Sequence, residues 1–553
     1  MQYKKSHRAS LRSNLISLIL GLLLLVVMSG CGGSNSNGNP PSQQESIIVN
    51  SLLDEDPATA GVVTLRAALA NAQPGQRITF DQNLNGETIN LTFIDTQHTV
   101  LTGEVMGFDD ANNISYLVGY YNRDYGKSAL FSDKDVFLDA SNLSDGITIN
   151  WQGTDSARVL AVAGDLYLNN VSITGGHSLF DVAIDVGQHS DDQQIATLAR
   201  GAGLAVWGVA NLNDCYIYDN HAEGDPSDSS RDGGAYGGGV YADTVVINNC
   251  TISGNTVSGG GAAGGGIFIV GGRDTGQDTS EIIKTTISEN RITGIFAYGA
   301  GAYSDGGGIG MSTRLKVVNS TVARNLVEPP LLPPFLLDLL DIGYWRGGGL
   351  YMSNGYMQVI SSTIVENQVF GKPRTNELNK PNLAGGIAAT IGNAHAVEDM
   401  VIGHSIIAGN TVHEIQGVGR FGYEIGNTYA HDVFSGSVFE FRSLGYNRIG
   451  VLDLSQILVP IGEPIWASLS RKHYPQAGDL DGVELTEVLG TAALSSIITS
   501  VGVQTTDNAV LHYRPLGSSL NQIPASTYPL TEVLGELSGN SGEGQNPMLL
   551  PLM

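Results

Sequence analysis

An asparagine returns along this chain at a nearly fixed interval, and that period constrains the fold more than any other feature. Asn220, Asn255, Asn290 and Asn325 stand 35 residues apart, and Asn367 and Asn410 follow after 42 and 43. Each closes a nine-residue phrase: LNDCYIYDN, INNCTISGN, IIKTTISEN, VVNSTVARN, VISSTIVEN and IGHSIIAGN. Position six is always Ile or Val, and position four is Cys, Thr or Ser. Read as a strand whose side chains alternate between faces, the even positions point inward. A second landmark recurs before the strands, as GGGVYA at 237, GGGIFI at 264, GGGIGM at 306, GGGLYM at 347 and AGGIAA at 384. Glycine runs at one point per period allow a sharp turn or a close backbone approach, and the aliphatic residue behind them opens another strand. A unit this short cannot bury its own apolar side, whereas stacked units bury one continuous column. The period therefore predicts an all-β protein, a parallel β-helix solenoid.

Stacking gives the asparagines a role. Equivalent residues of successive coils lie about 4.8 Å apart, so inward amides can hydrogen-bond above and below while satisfying turn backbone groups. The six asparagines are expected to form a structural ladder. Cys215 and Cys250 share position four of consecutive units, which places them inside the solenoid about 5 Å apart, within bridging range. A disulfide and a stacked pair of free thiols both fit that position.

Outside the repeat, VTLRAALANAQPGQRITFD runs from Val63. Thr64 can N-cap a short helix with Leu65, Ala68, Leu69 and Ala72 on one face, and QRITFD then alternates inward Ile78 and Phe80. Such a capping helix laid across the first coil would shield an exposed strand edge. From residue 78 to 450 the pattern leaves room for about ten coils. Residues 46–450 are read as the β-helix with its N-terminal cap. Residues 451–553, which lose the ladder and end in the polar run GELSGNSGEGQNP, are read as a C-terminal cap and a disordered tail.

Residues 1–30 have a different character. Lys4, Lys5, Arg8 and Arg12 precede LISLILGLLLLVVMSG, the form of a secretory signal peptide. GGSNSNGNPPSQQ follows Cys31, so residues 31–45 are read as a flexible tether. The formal net charge is −26, and losing the four basic residues of a cleaved signal takes it four units lower. That opposes nucleic acid and anionic lipid surfaces as partners, which leaves an anchor as the expected membrane contact. The 72 glycines and the 15% of charged residues suit short strands and tight turns rather than helices.

Several stretches carry a resemblance to known proteins. VMSGC resembles a bacterial lipobox, which implies that Cys31 becomes the lipidated first residue. Gly32, where an Asp would signal inner-membrane retention in such lipoproteins, implies the outer membrane. The Gly-Gly/Asn repeat resembles right-handed parallel β-helix surface proteins of the pectin-lyase-like fold, related to polymorphic outer membrane protein repeats. TLRAAL is similar to the CSLREA-type opening of that group, with Ala67 in place of its Glu. SLGYNRIG at 443–450 resembles the choice-of-anchor ending, Ser-x-Gly-x-Asn-x-Ile-Gly. The resemblance implies a right-handed winding and a surface lipoprotein, and it is nearly silent on activity.

Polysaccharide lyases and hydrolases share that fold, so catalysis is weighed residue by residue. Elimination needs a cation or Arg on a uronate carboxylate and a Lys or Arg base, and hydrolysis needs facing carboxylates. Position three, read as outward, holds Asp214, Asn249, Lys284, Asn319, Ser361 and His404, without a carboxylate or basic pair on adjacent rungs. GHS occurs at 176–178 and 403–405, without the Arg/Lys segment that accompanies the catalytic His of the hydrolases. Position five presents Thr251, Thr286, Thr321 and Thr363 as an outward hydroxyl array, suited to β-packing or to a repetitive glycan. Asp225, Asp228, Asp232, Asp274 and Asp278 in two inserts are candidate calcium ligands, without EF-hand spacing. The insert at 328–346 carries a leucine-rich run ending in Tyr344 and Trp345, a helix against the solenoid flank or a ligand patch. These readings converge on non-catalytic binding to a glycan or cell-surface component, without a cofactor. A lyase or hydrolase is the alternative.

Overall fold

The computed structural model describes residues 45–482, less several loop segments, together with two short late strands, His512–Pro515 and Leu549–Leu552. Residues 1–44 lie outside it, and with them the signal segment, Cys31 and all of the tether but its last residue.

Strands of successive coils stack in parallel register into sheets of 20, 11 and 11 strands, the last of which ends in an antiparallel pair, Thr411–Gly419 with Gly422–Ala430, and the chain winds as a right-handed parallel β-helix. The 20-stranded sheet is called here the broad sheet. The 11-stranded sheet containing Thr251–Ser253 is the ladder sheet, and the one containing His221–Glu223 is the flank sheet. In the repeat the ladder strands are three residues long, from Tyr216–Tyr218 through Thr251–Ser253, Thr286–Ser288, Thr321–Ala323 and Thr363–Val365 to Ile406–Ala408.

Their shortness has a local cause. Position three is left-handed in every unit, with φ of 53° at Asp214, 53° at Asn249, 50° at Lys284, 51° at Asn319, 49° at Ser361 and 52° at His404. Position eight repeats the device at Asp219, Glu289, Arg324 and Glu366, and with glycine at Gly254 and Gly409. Two left-handed residues thus bracket each strand and turn the chain at both ends. This corrects the reading of position three as an outward strand face, because those residues form the corner between the broad and ladder sheets.

Position six points inward as expected. Ile217, Ile252, Ile287, Val322, Ile364 and Ile407 meet Leu212, Ile247, Ile282, Val317, Val359 and Ile402 of the broad sheet in one continuous buried column. Each such side chain removed from water contributes roughly 1.5–3 kcal/mol, and no coil could bury its share without neighbours.

The N-terminal helix spans Leu65–Asn71, with Thr64 Oγ1 accepting the Ala67 N–H at 3.1 Å and with Leu65, Ala68 and Leu69 buried. Arg66 secures it. Its guanidinium donates to Asp54 Oδ1 at 2.6 and 3.0 Å and to the carbonyls of Ala129 and Phe93 at 2.7 and 2.9 Å. Asp54 Oδ2 accepts the N–H groups of Thr92 and Phe93 at 2.7 and 2.9 Å. A largely buried ion pair is stabilising only when its remaining donors and acceptors are met in this way. Ile78 and Phe80 point inward from the next strand as predicted.

The described ladder sheet has eleven rungs, and the last, Leu480–Asp481, lies beyond the expected boundary at 450. Leu452–Asp453 and Lys472–His473 extend the broad sheet in the same way. The solenoid therefore continues where a separate cap was expected. The strands His512–Pro515 and Leu549–Leu552 pair antiparallel with each other.

Candidate functional site

The asparagine ladder forms as the period predicts. Asn220 Nδ2 donates to Asn255 Oδ1 at 2.9 Å, and the contact repeats from Asn255 to Asn290 (3.0 Å), Asn290 to Asn325 (3.0 Å), Asn325 to Asn367 (2.8 Å) and Asn367 to Asn410 (2.8 Å). The same Oδ1 accepts the backbone N–H of the preceding asparagine, as in Asn255 to Asn290 at 3.1 Å. Nδ2 also reaches the position-six carbonyl of the coil before, Ile217 from Asn255 at 2.9 Å and Ile252 from Asn290 at 3.0 Å. All six side chains are buried. Asn410 has no asparagine beyond it. Its N–H and Nδ2 both donate to Asp432 Oδ1, at 2.8 and 2.7 Å, while Asp432 Oδ2 accepts the Val451 N–H at 2.8 Å.

The glycine runs and the asparagines are one construction. A Cβ added at Gly239 would lie 3.0 Å from Asn255 Nδ2 and 2.7 Å from the Gly266 carbonyl oxygen, and one at Gly386 would lie 2.9 Å from Asn410 Nδ2. Strand register carries this glycine column onward to Asp432, since Ile387 pairs with Val433. A side chain enters the column where the asparagines end.

A second ladder runs through position four. The Cys215 N–H donates to Cys250 Sγ (3.3 Å), the Cys250 N–H to Thr285 Oγ1 (3.3 Å) and the Thr285 N–H to Ser320 Oγ (3.2 Å). Ser320, Ser362 and Ser405 continue it onto Asn447 Oδ1 (3.1 Å), and Asn447 donates its N–H and Nδ2 to Asp479 Oδ1 at 2.9 and 3.0 Å. Cys215 and Cys250 are free, buried thiols, so of the two arrangements open to them the stacked thiols are the one formed. Each Sγ donates to the carbonyl two residues back, at 3.1 and 3.2 Å. Burial, reinforced by Cys215, pushes the Cys250 thiol well above its ordinary range.

The outward threonines differ from the expected open array. Thr251 is half-buried, whereas Thr286, Thr321 and Thr363 are 2%, 1% and 0% exposed. The strand His512–Pro515 packs on Thr363–Val365 and Ile406–Ala408. Residue types follow the covering, from the outward pairs Tyr216/Tyr218 and Thr251/Ser253 to Thr363/Val365 and Ile406/Ala408. The accessible part of the ladder sheet lies earlier, where Thr148, Asn150, Ser172, Tyr216, Tyr218 and Thr251 are half-buried. Tyr216 and Tyr218 stack with ring centroids 4.2 Å apart and 16° between planes, and Ser253 Oγ donates to the Tyr216 hydroxyl at 3.3 Å. Burial raises both phenols above their ordinary range, which keeps them protonated and able to donate.

Tyr344 and Trp345 belong to the flank sheet, in the strand Tyr344–Arg346 beside Phe296–Tyr298, so they sit on a different sheet from the threonines. Residues 330–343 of their insert lie outside the described residues, as do Asp225, Asp228, Asp232, Asp274 and Asp278.

Two constellations were missed in the sequence. Asp135 and Asp165 occupy adjacent coils, but Asp135 Oδ1 accepts the Asp165 N–H (2.9 Å) and Asp165 Oδ1 accepts the Val209 N–H (2.8 Å). Burial raises the Asp165 carboxyl, opposed by that Val209 bond and helped by Asp135. The pair braces turns. The other constellation is His177, His221 and Glu223, at the leading end of the flank sheet. Strand His177–Leu179 is the first of that sheet and lies in register with His221–Glu223. Glu223 Oε2 is 3.2 Å from His177 Nε2 and 3.7 Å from His221 Nε2. Burial, with His177 beside it, holds His221 below the ordinary imidazole range, while Glu223 pulls upward. Among the described residues this is the group able to hold a metal ion. GHS at 176 gave half of the signal, and NHAE at 220–223, directly after a ladder asparagine, gave the rest.

No protein-family model matches the chain, and no curated protein is significantly similar to it. Among solved structures it is similar to one described as the crystal structure of pectate lyase Pel9A, with a TM-score of 0.41 and 12% identity, covering 86% of this chain and 91% of that one. The likeness concerns the path of the backbone alone.

Proposed function

We propose that this chain is a lipid-anchored β-helix of the outer membrane that binds a glycan on the accessible early rungs of its ladder sheet without cleaving it. The observation that carries the reading is the stacked Tyr216–Tyr218 pair, set between Ser172 and Thr251 in one row and Thr174 and Ser253 in the other. Aromatic faces offer an apolar platform to the C–H side of a sugar ring, and the half-buried hydroxyls of Ser172 and Thr251 offer donors and acceptors to its rim. The rungs repeat at about 4.8 Å, so a periodic polymer laid along the axis meets equivalent groups at regular steps. The strongly negative charge of the chain favours a neutral glycan over an acidic one. The adjacent carboxylates, Asp135 and Asp165, are engaged by backbone amides, which weighs against the hydrolase alternative.

A glycan array probed with the mature chain, beside assays for new reducing ends and unsaturated products, tests this reading. Binding without product is expected, and the double change Tyr216→Ala, Tyr218→Ala should weaken it at least about tenfold, the scale of losing two stacked rings. Product release abolished by a single surface substitution would overturn it. Cys31→Ser should leave an uncleaved or soluble form, and unchanged processing together with unchanged membrane association would remove the anchor from the proposal.

A further inference from the structure

We infer that His177, His221 and Glu223 form a site for one divalent transition-metal ion, of the zinc class, on the outer face of the flank sheet. The parallel register places His177 opposite His221, and Glu223, two residues on in the same strand, shares their face. Two donors held 2.0–2.2 Å from a tetrahedral ion stand about 3.4 Å apart. The distances from Glu223 Oε2, 3.2 Å to His177 Nε2 and 3.7 Å to His221 Nε2, bracket that edge. All three donor atoms fall within 4.8 Å of one another, so small side-chain rotations close the triangle.

The far ring nitrogens are engaged. His177 Nδ1 is 3.3 Å from Ser156 Oγ, and His221 Nδ1 is 2.5 Å from Thr256 Oγ1. Second-sphere contacts of this kind orient an imidazole toward a metal, and Ser258 Oγ, 3.4 Å from His221 Nε2, is the contact that the ion would displace. Imidazole donors select zinc, copper, nickel or iron over calcium and magnesium, and the chain's net charge of −26 raises the local concentration of any cation.

The side chains are 38%, 37% and 43% exposed. Two histidines and one carboxylate open to solvent leave coordination positions for water or a ligand oxygen, unlike a closed structural site. Among the described residues of this column the imidazoles occupy two rungs, since the His221 position continues as Thr256 and Arg291. Because His177–Leu179 is the first strand of the flank sheet, the ion would also pin that three-residue edge strand to its neighbour.

A histidine–glutamate ion pair without metal has the same geometry, and the experiment separates the two. The mature chain, stripped with chelator, is titrated calorimetrically with zinc sulfate and, in parallel, with cobalt(II) followed by absorption. One ion per chain is expected, with cobalt d–d bands and without the thiolate charge-transfer band that Cys215 or Cys250 would give. His221→Ala and Glu223→Gln should each weaken binding more than about 100-fold, and Thr256→Val about tenfold through loss of orientation. Melting in chelator should be unchanged in all three. Failure of the unmodified chain to bind, a thiolate band, or equal binding by His221→Ala would each overturn the site. Should a variant fold poorly, the cobalt spectrum of the unmodified chain decides alone. None of these outcomes depends on glycan binding.

Discussion

The two interior ladders share a period, a direction and an aspartate at the far end, yet they ask different things of their side chains. At the asparagine rungs one side chain accepts two hydrogen bonds from the coil before and donates two more, one to the next asparagine and one to a preceding carbonyl. Every rung from Asn220 to Asn410 is asparagine. At position four the side chain accepts one backbone N–H and turns its single hydrogen back to the carbonyl two residues earlier, and Cys250, Thr285, Ser320 and Ser362 all serve. Both columns are buried, so burial does not explain the difference. Strictness in the sequence follows the number of hydrogen bonds a position has to close.

The largest effect is expected at an interior asparagine. Asn290→Ala removes the acceptor of the Asn255 N–H and of one Asn255 Nδ2 hydrogen, and the amide donor to the Ile252 carbonyl, at about 1–3 kcal/mol for each buried group. A total loss of at least about 3 kcal/mol in denaturant titrations, with faster hydrogen exchange confined to neighbouring coils, is the expected result. Asp432→Ala should come next, at about 2–3 kcal/mol, because it removes the acceptor of the Asn410 N–H, of one Asn410 Nδ2 hydrogen and of the Val451 N–H together. Ser362→Ala should cost about 1–2 kcal/mol, one lost acceptor for the Ser320 N–H and one lost donor to the Ile360 carbonyl. If it costs as much as Asn290→Ala, the comparison between the ladders fails. Cys250→Ser should shift stability by less than about 1 kcal/mol, since a hydroxyl already serves the same role at Ser320. A large change would show that the sulfur is valued for its volume rather than as an acceptor.

The smallest effect concerns the short acceptor chain at Asp135 and Asp165. Asp165→Asn keeps an oxygen for the Val209 N–H and removes a desolvated charge. The folded carboxyl of Asp165 is raised above its unfolded value, so its favourable contribution is complete below the unfolded pKa and fades as pH rises through the folded one. The variant should therefore melt a few degrees higher, about 2 °C, at pH 7 and match the parent at pH 3. A lower melting point at pH 7 would mean that the charge itself holds the turn.

The sequence made the asparagine ladder legible because its rungs keep one residue type at one spacing, and the buried column followed from Ile or Val at position six. The corners did not announce themselves. Asp214, Asn249, Asn319 and His404 belong to types that tolerate left-handed backbone, but Lys284 and Ser361 do not advertise it, so position three read as strand. The site on the flank sheet was hidden for a different reason. His177 and His221 are 44 residues apart in the chain, and only the pairing of two three-residue strands makes them neighbours. The opening and closing phrases were recognisable as patterns before their physics was. Arg66 of TLRAAL binds Asp54 and two carbonyls. Asn447 of SLGYNRIG is the rung that hands the second ladder to Asp479.

Asp432 and Asp479 carry a rule of punctuation. An asparagine amide both takes and gives, so any rung that ends in asparagine presents unmet donors to whatever folds next, and the stack stays open to addition. A carboxylate takes and gives nothing onward. Placed in the glycine column at Asp432, or beyond Asn447 at Asp479, it receives the last donors and ends the sentence. The reading direction matches synthesis: a completed coil always waits for an acceptor supplied by residues closer to the C-terminus. A chain cut before residue 432 would leave the asparagine ladder with its donors facing outward, an edge ready to capture a coil from another copy.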